Sequence, residues 1–235
     1  MMYGVQGYVK GGAMIGRPGP RRVLSEDAIL DAALALLDEG GLEAASVRRI
    51  AAAVGVAPNA VYTYFPDKAA VQRALVDRIL GAVDHRALTA SGLPWRERIH
   101  GLALEVRARL SAHPAVVPLL LGGPMDGPEA LALGEHLLDV LAEAGLAPDV
   151  AARASYLVIV YVLGAVALET AEHPGAGPLP PEAERIAARR DAFAAAPTEH
   201  FPRTAAAAPV VAEYVSTEQF RWGLDRLLDG IAPPA

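Results

Sequence analysis

The sequence predicts an all-α protein. Three observations predict it. Apolar residues recur at spacings of three and four through most of the chain. Ser, Asp and Pro at helix-start positions and Gly at helix-stop positions bracket those runs. No sustained apolar–polar alternation competes for a strand. With 235 residues, 53% of them apolar, the chain can bury a sizeable core.

The elements follow in order. Residues 1–22, rich in Gly and Pro, read as a flexible arm with Arg17, Arg21 and Arg22 ahead of the first acid, Glu26. The first helix opens at "LSEDAIL". Ser25 suits the N-cap, Glu26 and Asp27 suit the positive end of the dipole, and Leu24 can staple onto Ile29. Ile29, Ala32, Ala33, Leu36 and Leu37 make its apolar stripe, and Gly40-Gly41 stops it. Ser46 caps a second helix with Ile50, Ala51 and Val54 inward, and Pro58 opens a third. Asp67 caps a fourth that runs to about His85, with Val71, Ala74, Leu75 and Ile79 apolar.

A break at "GLPW" separates residues 23–88 from a second domain, 93–235. There, helices are predicted over about 95–112, 115–121, 128–144, 149–172, 181–195 and 217–231. The helix over 149–172 is apolar all round in its middle, so it must be covered on several sides. Residues 174–216, rich in Pro and Ala, read as loops around the one helix at 181–195. Ser216 and Gln219 have capping-box spacing for the last helix.

The charge balance narrows the function. The net charge is −6, but residues 1–86 carry 10 Lys plus Arg against 9 Asp plus Glu, so the acidity sits in the remainder. Without cysteine, neither a disulfide framework nor a thiolate zinc site can form. The longest apolar run, Ala154 to Leu168, falls short of the ~18–20 residues of a membrane span. With no apolar stretch typical of a signal peptide at the start, a soluble cytoplasmic protein is expected. No Walker A, Gly-x-Ser-x-Gly, dinucleotide or His-Glu-x-x-His pattern is present. No cofactor or metal is expected; Glu169 and His173 stand four apart, but a solvated helix end accounts for them.

The segment "AAAVGVAPNAVYTYFP", 51–66, carries the chemistry. Two short helices joined through Gly55 have the form of a helix-turn-helix, whose second helix enters the major groove of DNA. Ala57, Pro58, Asn59 and Ala60 are small or polar enough for close backbone approach. Val54, Val56, Val61 and Phe65 are the inward set. Tyr62, Thr63, Tyr64 and Lys68 have the chemistry of phosphate contacts. The same pattern also occurs in helical proteins that never touch DNA, where tyrosines merely pack.

Residues 25–80 resemble the DNA-binding domain of the TetR family of bacterial transcriptional regulators. The resemblance rests on Val47-x-x-Ile50-Ala51, Gly55-Val56, Val61-Tyr62, Tyr64-Phe65 and Asp67-Lys68 ahead of Val71. The end, "FRWGLDRLLDGI", is similar to the last helix of the tetracycline-repressor branch. The resemblance implies base reading by Arg48, Pro58, Asn59 and Ala60, and phosphate or groove-edge contacts by Ser46, Tyr62, Thr63, Tyr64 and Lys68. Ala57 and Ala60 depart from the hydroxyl or amide residues common there, which shifts direct readout toward Arg48 and Asn59.

The resemblance further implies a homodimer on a palindromic double-stranded operator, joined through the helices at 149–172 and 217–231. It also implies a small-molecule effector bound among the helices 95–112, 128–144 and 149–172. Leu102, Val106, Met125, His136, Tyr156 and Tyr161 are its candidate contacts, though each also reads as a packing residue. The expected function is a repressor released by a small apolar effector. An enzyme on a helical scaffold is the alternative, and turnover without DNA binding would favour it.

Overall fold

The structure, a computed structural model, describes residues 24–89, 92–173 and 177–231. The arm with Arg17, Arg21 and Arg22 lies outside the described residues. Among the described residues all regular structure is helical.

Local signals set the first four helices. Helix α1 (Glu26–Ala44) begins where Ser25 Oγ accepts from Ala28 N at 3.2 Å. Its helical geometry breaks at Gly40 and Gly41, the latter at φ 68°, and a last turn follows to Ala44. Ser46 Oγ accepts from Arg49 N at 3.3 Å to open α2 (Val47–Val54). Gly55 ends α2 at φ 76°, a left-handed conformation that glycine adopts without a Cβ penalty. Helix α3 (Pro58–Val61) is short, and turns carry the chain on through Tyr62–Tyr64. Asp67 Oδ1 accepts from Ala70 N at 2.7 Å and opens α4 (Lys68–Gly81). Ile29, Ala33, Leu37, Ile50, Val61, Phe65, Val71 and Leu75 close this core.

Helix α4 ends at Gly81 rather than near His85, and α5 (Arg86–Thr89), too short to show a periodicity, follows. A Cβ at Gly81 would lie 2.7 Å from Glu129 Cγ, so the small residue admits a neighbouring helix at the end of α4.

That neighbour is α8 (Pro128–Glu143), which packs with α6 (Trp95–Ala112) and α9 (Pro148–Ala171). A 3-10 turn, Pro114–Val116, leads from α6 into α7 (Val117–Gly122). Ile99, Leu110, Val116, Val140, Leu141, Val166, Leu224 and Leu228 are buried in this second core. Helix α9 is 24 residues long with a mean hydropathy of 1.9 over its most apolar window, so it is long and apolar enough to cross a membrane. The expectation that it falls short took in only the apolar run, whereas the helix also includes polar ends. Here Val158, Val162 and Val166 are buried, and α9 packs against α6, α7, α8 and α12 (Thr217–Ile231).

Residues 196–216 correct the sequence expectation of loops. After α10 (Glu182–Ala194) comes α11 (Pro202–Ala212), which packs on α10 and contains Pro209 within it. Pro197, Pro202 and Pro209 hide this helix in the sequence. Pro202 sits in the first turn, where a missing N–H costs nothing, and the alanines after it favour helix. The capping box is half formed. Ser216 Oγ accepts from Gln219 N at 3.0 Å, but Ser216 N donates to Glu213 O. Glu182 instead serves the helix start, accepting from Thr217 N at 3.0 Å and Thr217 Oγ1 at 2.6 Å.

Glu169 corrects a second expectation: it is buried rather than a solvated helix end. Arg107 holds its carboxylate with both Nε (2.9 Å) and Nη2 (2.8 Å), and Arg185 binds the same carboxylate. Burying these charges is tolerable because each is paired and hydrogen-bonded.

Candidate nucleic-acid interface and apolar cavity

Val47, Ile50 and Ala51 of α2 and Val61 of α3 turn inward and Val56 packs half-buried against them, whereas Val54, expected inward, is half-buried outside this core. Arg48, Ala57, Pro58, Asn59, Tyr62, Thr63 and Tyr64 are exposed, and Ala60 is half-buried. Arg48, Asn59 and Tyr62, the last 49% exposed, thus have the freedom to reach a groove.

The other candidates have internal duties as well. Ser46 caps α2. Thr63 Oγ1 donates to Ala60 O at 2.6 Å. Tyr64 donates its hydroxyl to Leu24 O at 2.8 Å, which fastens the α3 turn to the start of α1. Lys68 Nζ donates to Leu42 O at 3.4 Å. A hydroxyl that donates still has lone pairs, but it cannot give the same proton to a phosphate.

A cavity of about 310 Å³ lies among α6, α8 and α9, with Leu80 of α4 in its wall. That size suits a small organic ligand. Leu102, Val106 and Met125 line it, as the sequence analysis anticipated. Ala130, Leu133, Leu137, Val158 and Val162 line it too, and nothing in the sequence separates them from ordinary core residues. Among the described residues, Glu135 is the one ionisable side chain in that lining.

Three candidate contacts lie outside the lining. His136 follows Glu135 on α8, and the helical step of about 100° turns it toward the end of α4. There its Nδ1 is 3.2 Å from Nδ1 of His85. Tyr156 is 66% exposed on the outer face of α9. Tyr161 donates its hydroxyl to Phe220 O at 2.7 Å, joining α9 to α12. Burial pushes its pKa up, which keeps it a donor. Gly223 makes room for it, since a Cβ there would lie 3.0 Å from Tyr161 Cζ.

The helix-turn-helix core, the candidate reading head, and the cavity share helix α4. Asp77 Oδ1 accepts from Glu129 N at 3.0 Å and Ala130 N at 3.3 Å, so α4 supplies the N-terminal cap of α8. No side chain within α8's own sequence caps it. A Cβ at Gly127 would lie 2.6 Å from Asp77 Cγ, so only glycine leaves room for this carboxylate. His113, at the end of α6, makes a second link with Nδ1 2.8 Å from Asp38 Oδ2 of α1.

The outward side of α9 is also apolar. Leu157, Val160 and Leu168 are exposed at helical spacing, and a Cβ at Gly164 between them would meet no neighbour. Trp222 of α12 is 58% exposed.

Comparisons with known proteins agree with this architecture. Residues 29–75 match the bacterial regulatory proteins, tetR family, and residues 90–233 match the tetracyclin repressor-like, C-terminal domain. The HTH-type transcriptional repressor DrrR1 of Streptomyces coeruleorubidus is 28% identical over 91% of this chain and 79% of its own length. The crystal structure of a "possible TetR family transcriptional regulator" from Streptomyces coelicolor A3(2) is 33% identical. It superposes with a TM-score of 0.75 over 88% of this chain and 98% of that one. The Streptomyces coelicolor TetR family protein ActR, solved in complex with actinorhodin, shares the fold at 21% identity. Its TM-score is 0.73 over 89% of this chain and 97% of that one. The chain belongs to the TetR family of bacterial transcriptional regulators.

Proposed function

We propose that this regulator is a cytoplasmic homodimeric repressor that leaves a palindromic operator when a small apolar molecule fills the cavity among α6, α8 and α9. The observation that carries the proposal is the joint between the two halves. Helix α4 supports the reading head, places Leu80 in the cavity wall and caps α8 through Asp77. A ligand that displaces α8 therefore pulls on α4.

Arg48 and Asn59 read base edges in this proposal, and Tyr62 with the flanking polar residues positions the helix on the phosphates. Tyr64 and Lys68 contribute chiefly by fixing the head's internal geometry through Leu24 and Leu42. The exposed apolar face of α9, with Trp222 of α12 beside it, pairs across a two-fold axis, which sets two heads on half-sites ~34–36 Å apart. The cavity's aliphatic lining favours an apolar or aromatic ligand over a phosphorylated one.

The test is reciprocal titration. An operator selected from random duplexes is titrated with and without a candidate ligand, and the ligand with and without the operator. A tenfold loss of DNA affinity corresponds to ~1.4 kcal/mol of coupling, and DNA must weaken the ligand by the same factor. A ligand bound in the cavity with equal affinity in both titrations is not the effector. Failure to select any duplex sequence would reject the repressor reading.

A further inference from the structure

We propose that His85 and His136 form a binding site for one divalent transition-metal ion of the zinc class, at the joint between the reading head and the cavity. The two Nδ1 atoms are 3.2 Å apart and the rings stand at 86°. Two imidazole nitrogens that share a tetrahedral ion at ~2.0–2.1 Å lie about 3.3 Å from each other. The separation is already present. The short-range ligand spacing that would reveal it in sequence is missing, because the two histidines are separated by 51 positions.

The surroundings define the chemistry. His85 Nε2 is buried and has no hydrogen-bond partner among the described residues, so Nδ1 is the nitrogen through which His85 can bind an ion. His85 also borders an open cleft with Asp84, Arg86, Glu105 and Arg109, through which an ion and its remaining waters can enter. Both carboxylates there are engaged, Asp84 with Arg86 at 3.0 Å and Glu105 with Arg109 at 2.9 Å. A pair of neutral imidazoles without a carboxylate suits zinc, copper or nickel and disfavours magnesium and calcium.

The site has a mechanical consequence, and this part rests on the proposed repressor function. His85 follows α4, and His136 lies on α8, whose neighbouring residues Glu135 and Leu137 line the cavity. An ion held by both would staple the support of the reading head to the wall of the effector cavity. Metal would then act alongside the effector on operator affinity.

The experiment titrates the tag-free, chelator-stripped full chain with zinc chloride by calorimetry. One ion should bind per chain, and His85→Gln and His136→Gln should each weaken it at least about tenfold. His200→Gln, at an exposed position away from the pair, should leave it unchanged. Nitrogen NMR of the wild-type imidazoles provides a readout that does not depend on a variant's folding: the signals of two of the six histidines should move together with zinc. Equal zinc uptake by wild type and both variants, or no uptake at about millimolar zinc, would overturn the site and leave a hydrogen bond between the two imidazoles. Zinc should also change operator affinity in the wild type and not in His136→Gln. Zinc bound at the pair with operator affinity unmoved would refute the staple. If no duplex binds at all, the repressor reading fails while the zinc titration still decides the site.

Discussion

Cutting the clasp between α4 and α8 tests the joint directly. In Asp77→Ala, the N–H groups of Glu129 and Ala130 lose the carboxylate that now lies 3.0 and 3.3 Å away. Loss of an N-cap of this type costs ~1 kcal/mol, within a range of about 0.5–2. In a chain of this size that lowers the melting temperature by ~2–4 °C. Gly127→Ala approaches the same clasp from the other side. Gly127 has φ −69° and ψ 158°, which alanine adopts freely, so its cost is steric alone. The new methyl would lie 2.6 Å from Asp77 Cγ, and such overpacking costs ~1–3 kcal/mol. The double variant is the informative one. Removing the carboxylate leaves only the Cβ of residue 77, 3.1 Å from the new methyl, so Gly127→Ala should cost less once Asp77 is alanine. Urea unfolding followed by circular dichroism, at one protein concentration and with equal m values, measures all four corners of the cycle. The expected coupling is ~1 kcal/mol or more. Costs that add within about 0.5 kcal/mol would refute the clasp as drawn. Under the proposed function, Asp77→Ala should also shrink the effector's influence on operator affinity while leaving ligand binding near the wild-type value.

Three further outcomes are expected. Asn59→Ala and Arg48→Ala should each relax preference by ~1–3 kcal/mol at one base pair, whereas Tyr62→Ala should weaken all duplexes about equally, as binding to a panel of substituted operators would reveal. Leu168→Glu and Leu157→Glu place charge on the exposed face of α9 and should yield monomers by light scattering at micromolar protein; unchanged dimers would move the interface elsewhere. Glu182 should contribute an acid-sensitive part of stability. Burial pushes its pKa up, but the hydroxyl and N–H of Thr217 and the charge of Arg107 outweigh that and hold it below its ordinary 4.5. The unfolded chain therefore takes up this proton first as pH falls. Glu182's contribution is complete above the unfolded value and is lost as pH drops through the lower folded one. The stability gap between wild type and Glu182→Gln should be steady near neutrality and narrow in acid; a gap that widens in acid would contradict this assignment.

The sequence by itself determined the features whose causes lie within three or four residues. Ser25, Ser46 and Asp67 accept from N–H groups three positions on, and Gly55 turns because it lacks a Cβ, so the head's helices and the inward Val61 and Phe65 could be read directly. The spacing of apolar residues located α6, α8 and α9, and with them the place of the cavity. Tertiary structure decided what depends on distant partners. Whether Leu133 or Val158 faces a void or a neighbour is invisible in a run of aliphatic residues, because both environments favour the same side chains. The apolar stripe of α8 puts His136 beside cavity residues in sequence, but the fold sets it against His85, 51 positions away. Glu169 is buried only because Arg107 and Arg185, 62 and 16 positions away, neutralise it. Asp77 caps a helix that begins about 50 positions later, with separations of 52 and 53 to its two donors. A carboxylate at such a distance finds its N–H groups only after both domains have packed, so the link between head and cavity exists in the folded chain alone.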